Sequence, residues 1–143
     1  MKQKEVNNLR KAIDLAEKPS GCKYVVDGKP CCVIAQLAVL EGIPVEDISK
    51  WDRQNSCGIG VLPLTNGVDV LVRKYPREVL VNMQGAWDRA FDIDAKESIG
   101  MSYYSSVSSD LSSEDMIKLE KYARVCMNEM VSKELEKPEY HSF

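Results

Sequence analysis

Histidine is nearly missing from this chain: one residue in 143, His141. Catalysis that relies on a histidine base, and metal sites built on imidazole, therefore have almost nothing to draw on. An excess of basic charge is also missing. Nineteen Lys and Arg stand against 22 Asp and Glu, a formal net charge of -3, whereas dedicated nucleic-acid binders are strongly basic. Aromatic residues make up only 7%. There is no apolar run of about 18 residues, as a membrane-spanning helix needs. No Walker A sequence, nucleophile elbow, Cys-x-x-Cys pair or internal repeat occurs.

What is present suits an ordinary globular fold. A chain of 143 residues with 44% hydrophobic content can bury roughly 70% of its unfolded surface without a disulfide or a metal. Five cysteines, at 22, 31, 32, 57 and 126, are odd in number and include an adjacent pair. That is a poor disulfide framework and suits a reducing compartment. The N-terminus is polar and shows no apolar signal segment. The expectation is a soluble protein of the cytoplasm.

The periodicity predicts a mainly α single domain of about five helices, with a small β-hairpin near 23–31. Val6, Leu9, Ile13 and Ala16 fall on one face of a helix over 3–18, stopped by Pro19. Lys23 to Val26 is a β-favouring run that meets Asp27-Gly28, a strong hairpin-turn signal. Residues 31–41 are apolar nearly all round and end at Gly42, which marks a buried central helix. Pro44 opens a short helix to about Asp52, and 53–67 are loop-like. Val68–Tyr75 fits either a short helix or a strand. After Pro76, Val79, Leu80, Met83, Trp87, Ala90 and Phe91 form a helical stripe. A serine-rich segment, 92–112, reads as an irregular link. It leads to an amphipathic helix over 113–137, with Ser112 as cap, a Leu111–Met116 staple and Met116, Leu119, Ala123, Met127 and Met130 on one face. Three i,i+4 pairs support this helix: Glu114–Lys118, Glu120–Arg124 and Glu129–Lys133. The compact part is expected over 3–91, all within one domain of 1–143.

Few residues invite chemistry. At the start of a helix, Cys31 and Cys32 would feel its dipole, which favours thiolate; they are the candidate reactive thiols. Their other reading is a pair of small core residues. Asp92-Ile-Asp94 begins like a calcium loop, but Lys96 takes a ligand position and Glu97 stands where glycine is needed. Gly58-Ile-Gly60 is too short for a phosphate loop. No metal or cofactor is expected, and no catalytic set is assigned. Trp51-Asp52 and Trp87-Asp88 each follow an apolar stripe, as core residues or as aromatic anchors of a binding surface. Gln36 and Gln84 lie in apolar helices, where a buried amide must find partners or line a polar pocket. Arg73, Lys74, Arg77 and Arg89, near Trp87, would suit the phosphates and base of a small nucleotide. The methionines of the last helix suit either a core or an adaptable partner surface, such as that of a homodimer through 113–137.

One longer pattern is worth stating. Asp27-Gly-Lys-Pro-Cys-Cys-Val-Ile-Ala-Gln-Leu-Ala-Val-Leu-Glu-Gly42, then Val45 to Trp51-Asp52, then Leu80-Val-Asn-Met-Gln84-Gly-Ala-Trp87-Asp88 resembles small uncharacterised proteins encoded by tailed bacteriophages. Those carry a Gly turn, a Cys-x-Ile helix, a short helix ending in Trp, and a Gln-x-x-Trp-Asp helix. The likeness covers about 27–90 and implies an accessory product acting in the host cytoplasm, of a kind that binds host or defence proteins. The leading expectation is thus non-catalytic binding of such a protein. The alternatives are a small-ligand (signalling-nucleotide) binder and a cysteine-dependent enzyme; binding to membranes or nucleic acid is not expected.

Overall fold

The computed structural model describes residues 2–17, 24–52, 59–60, 62–88 and 113–135. Among them are six helices and one two-stranded hairpin: α1 (Gln3–Leu15), β1 (Val25–Val26), β2 (Lys29–Pro30), α2 (Val33–Leu40), α3 (Val45–Trp51), α4 (Val68–Lys74), α5 (Arg77–Asp88) and α6 (Ser113–Leu135). The mainly α single domain with a small hairpin is therefore observed. The ambiguous 68–75 stretch is helical, which raises the count from five to six. Pro19, the 92–112 link, the Ser112 cap, Ala90, Phe91 and the cysteines at 22 and 57 lie outside the described residues, as does His141.

The hairpin forms where Asp-Gly demands it. Asp27 and Gly28 both adopt positive φ (52° and 75°), and Val25 pairs with Pro30 and Val26 with Lys29 in an antiparallel register. Cys31 still belongs to this hairpin, because its N–H bonds the Tyr24 carbonyl at 2.9 Å. The central helix consequently starts two residues later than the apolar run. Cys32 is its N-cap, with Sγ accepting from the Ala35 N–H at 3.4 Å. Its other end closes as a Schellman motif: Gly42 has φ +87°, Gly42 N–H bonds Val39 O, and Ile43 N–H bonds Ala38 O, each at 3.0 Å.

Helix α2 is the centre of the domain, with Val33, Ile34, Ala35, Leu37 and Ala38 buried. It packs against α1 and α5, and α6 lies across those two. Helix α1 ends earlier than its apolar periodicity suggests, at Leu15, because Ala16 turns to an extended conformation. The Ile13 and Ala16 carbonyls accept from the Arg124 guanidinium of α6, which satisfies that end of the helix. Leu119, Ala123, Met127 and Val131 of α6 are buried in the same core. The inner face of the last helix is thus packed against its own chain, and Met127, one of the residues offered to a partner, is fully covered. The Met116 side chain lies outside the described set.

Candidate functional site

The residues singled out from sequence divide into three groups in space. The first surrounds Tyr24, which is 2% exposed at the start of the hairpin. Asp52, just past the end of α3, accepts from two successive backbone N–H groups, Tyr24 at 2.8 Å and Val25 at 3.1 Å. A carboxylate on paired amides is a strong, charge-assisted clamp, so Asp52 pins the hairpin to α3. Trp51 meets the Tyr24 ring edge to face, with centroids 5.3 Å apart, and its Nε1–H donates to the Asn66 carbonyl at 3.1 Å. At the far side of Tyr24, its hydroxyl accepts from Gln84 Nε2 at 2.9 Å. Gln84 Oε1 in turn accepts from the Ile59 N–H at 2.8 Å, and Arg77 Nη1 donates to the Gly60 carbonyl at 3.0 Å.

Trp51, Asp52, Gln84 and Arg77 are therefore drawn into one continuous array that runs from α3 through the hairpin to the outer side of α5. Tyr24, its central member, was read from sequence only as a strand residue. Gln36 belongs to the same region, its amide donating to the Pro30 carbonyl at 2.9 Å. Both glutamines are half-buried, and their amides find partners in protein atoms.

Around the array, α5 presents Arg77, Val81 and Gln84 at i, i+4 and i+7, which places them on one stripe. Val81 is 41% exposed. The Ile59–Gly60 turn is fastened against this stripe. A Cβ at Gly60 would lie 2.9 Å from Val81 Cγ2, so a side chain there would force Val81 to shift. Asp88 follows on the same stripe by spacing, but its side chain lies outside the described set, as does the whole of Arg89.

The second group is cationic and is dispersed. Arg73 pairs with Asp69 on the surface at 3.5 Å. Lys74 donates at 2.6 Å to Glu41, whose side chain is only 3% exposed. Glu41 also accepts from Asn8 Nδ2 at 3.0 Å and from the Tyr75 hydroxyl at 2.5 Å. Trp87 is 1% exposed, and Arg124 lies over its ring at 5.6 Å. Trp87 is thus a core residue, one of the two readings its sequence context offers. Lys74 and Arg77 point to different protein acceptors, Glu41 and the Gly60 carbonyl.

The third group is the pair of thiols. Cys31 precedes α2 and is buried, as the core reading of the pair has it. Burial pushes its thiol pKa up, outweighing the lowering by a backbone hydrogen bond, and the nearby carboxylates of Glu17, Asp27 and Asp52 add to the rise. The thiol donates to the Lys29 carbonyl at 3.4 Å. Native protein treated with iodoacetamide near neutral pH is therefore expected to leave Cys31 unmodified, and urea to expose it, as read by peptide mass mapping. Rapid alkylation of Cys31 in the folded state would contradict this arrangement.

Among the described residues, no group of three or more His, Cys, Asp and Glu is placed to hold a metal ion, and no helix is long and apolar enough to cross a membrane. Comparison with protein-family models, with curated proteins and with solved structures finds no match.

Proposed function

We propose that this chain is a non-catalytic interaction protein: an accessory product of the tailed-phage kind that engages a host or defence protein in the host cytoplasm. The observation that carries the reading is the α5 stripe. There an exposed Val81 is framed by Arg77 and Gln84, which are both anchored to the Ile59–Gly60 turn. An apolar side chain held in a rigid polar frame suits an interface, since little side-chain freedom is lost on binding. The residues that would favour other chemistry already serve the fold. Cys31 is a protonated donor, Lys74 neutralises Glu41, and Trp87 lies in the core.

The test is capture from bacterial lysate on immobilised protein, comparing the native chain with Val81→Glu. A specific protein is expected on the native chain and is expected to be at least about tenfold depleted on the variant, since a charge placed in an apolar interface centre is strongly disfavoured. Equal recovery on both, or nothing above background on either, would count against the reading. A thermal shift with cyclic or linear nucleotides would instead favour the small-ligand alternative.

A further inference from the structure

Between α3 and α4 the chain turns through Asn66-Gly67, the one place in the sequence where asparagine precedes glycine. Asn66 has φ +52°, Gly67 has φ +91° and ψ -8°, and the Val68 N–H bonds the Thr65 carbonyl at 3.1 Å. Those values define a type I′ turn, in which both central residues take positive φ. Pro63, Leu64 and Thr65 ahead of it are exposed, and Asn66 and Gly67 are half-buried. Among the described residues, neither the Asn66 side-chain amide nor the Gly67 N–H has a hydrogen-bond partner. The two groups whose reaction converts asparagine to aspartate are thus both unengaged.

That reaction needs only water and hydroxide. The Gly67 nitrogen gives its proton to hydroxide and attacks Asn66 Cγ. The N–Cγ bond forms, the Cγ–Nδ2 bond breaks, and the amide nitrogen takes a proton from water and leaves as ammonia. Water then opens the five-membered imide at either carbonyl, giving aspartate or isoaspartate. Glycine favours the attack because no side chain shields its nitrogen. The folded turn opposes it. A type I′ turn sets ψ of its first central residue at about +30°, which holds the Gly67 nitrogen across the Cα–C bond from the side chain. Ring closure therefore requires the Asn66–Gly67 peptide plane to swing round. The carbonyl of that plane accepts from Trp51 Nε1–H at 3.1 Å, and Gly67 lies tightly against the Ile43 side chain.

We infer that Asn66 is a deamidation site gated by Trp51: the indole hydrogen bond holds the peptide plane in its unreactive setting, and conversion follows local opening of the turn. Opening this exposed turn costs less than unfolding the domain. Either product adds a negative charge, and isoaspartate carries the main chain through Cβ, one carbon longer than before. A turn so lengthened cannot keep both the Trp51 contact and the fit against Ile43. The change therefore loosens the α3–α4 connection, and refolding does not reverse it.

Incubation in mildly alkaline buffer tests it, read by peptide mapping and isoaspartate-specific methylation, with circular dichroism confirming that each variant is folded. In the native chain Asn66 is expected to convert before Asn7, Asn8, Asn82 and Asn128, and more slowly than in the urea-unfolded chain. Trp51→Phe, which lacks the indole donor, is expected to convert about fivefold faster than native. Met127→Ala destabilises the whole fold from the core face of α6, which packs on α1 and α5. It is expected to stay within about twofold of the native rate, because the turn opens locally. Asn66 still intact in the native chain after about a hundred half-lives of the unfolded one would overturn the inference. So would equal rates in Trp51→Phe and native, or an acceleration in Met127→Ala that matches Trp51→Phe.

Discussion

Replacing Glu41 by alanine is expected to lower the folding free energy by about 3 kcal/mol, because it removes the acceptor shared by the buried Tyr75 hydroxyl and the half-buried Asn8 amide. The carboxylate sits just past α2 and gathers three side chains from two other parts of the chain: Asn8 of α1, Lys74 at the end of α4, and Tyr75 beyond it. Tyr75 is 1% exposed. Without Glu41 its hydroxyl would be left in the core with no comparable partner. The Lys74 ammonium reaches solvent and rehydrates, so the loss falls on Tyr75 and Asn8. Glu41→Gln keeps one oxygen for those two donors and is expected to cost about half as much. Urea unfolding followed by circular dichroism measures both. A midpoint unchanged in Glu41→Ala would show that the three contacts contribute nothing to stability.

The same cluster fixes the sign of a pH dependence. Burial alone would raise the Glu41 pKa, but the hydrogen bonds from Lys74, Tyr75 and Asn8 outweigh it, and the folded value lies below the ordinary 4.5. The unfolded chain then binds the proton first on acidification. The Glu41 contribution is fully present above about pH 4.5 and is lost as pH falls through the lower, folded value. At the alkaline end, burial and the Glu41 carboxylate both push the Tyr75 pKa up from its ordinary 10.0. Stability from Tyr75 is thus complete below pH 10 and declines above it, where the unfolded chain alone ionises. In Glu41→Ala the acid-side fall is expected to be shallower than in the native protein.

Glu41 also shows where sequence reasoning stops. It reads as an unremarkable polar residue ending an apolar helix, and its three partners are 33 or 34 positions away. Nothing local announces a contact of that range. Features governed by local rules were legible: the Asp27-Gly28 turn, the Gly42 helix end and the inner stripe of α6 all follow from positive φ or helical spacing. The array around Tyr24 was legible in part. Trp51, Asp52, Arg77 and Gln84 stood out by type, whereas Tyr24, which joins them, looked like any aromatic residue in a β-run. Val81 did carry a signal, as an apolar residue placed off the apolar stripe of its helix. The start of α2 was misplaced because hydrophobicity cannot separate Cys31, bonded into the hairpin, from the helix that follows.

Trp51 provides the second large effect and separates fold from binding. Trp51→Ala is expected to destabilise the protein by about 3–5 kcal/mol through lost apolar burial and the cavity left behind. The side chain is 1% exposed, stacks edge-on to Tyr24 and donates to the Asn66 carbonyl. That carbonyl belongs to a constrained turn. Asn66 and Gly67 have φ of +52° and +91°, and a Cβ at Gly67 would come within 2.6 Å of Ile43 Cγ2. Backbone so placed has little freedom to seek another donor. Trp51→Phe keeps much of the ring but removes that donor, and is expected to cost about 2 kcal/mol. A tryptophan anchoring a partner would behave differently: its replacement by phenylalanine would abolish capture and leave stability nearly unchanged. Because Trp51 is enclosed, the urea midpoint of Trp51→Phe should fall while capture of the partner persists under native conditions. The reverse pattern would move Trp51 from the core of the domain to its binding surface.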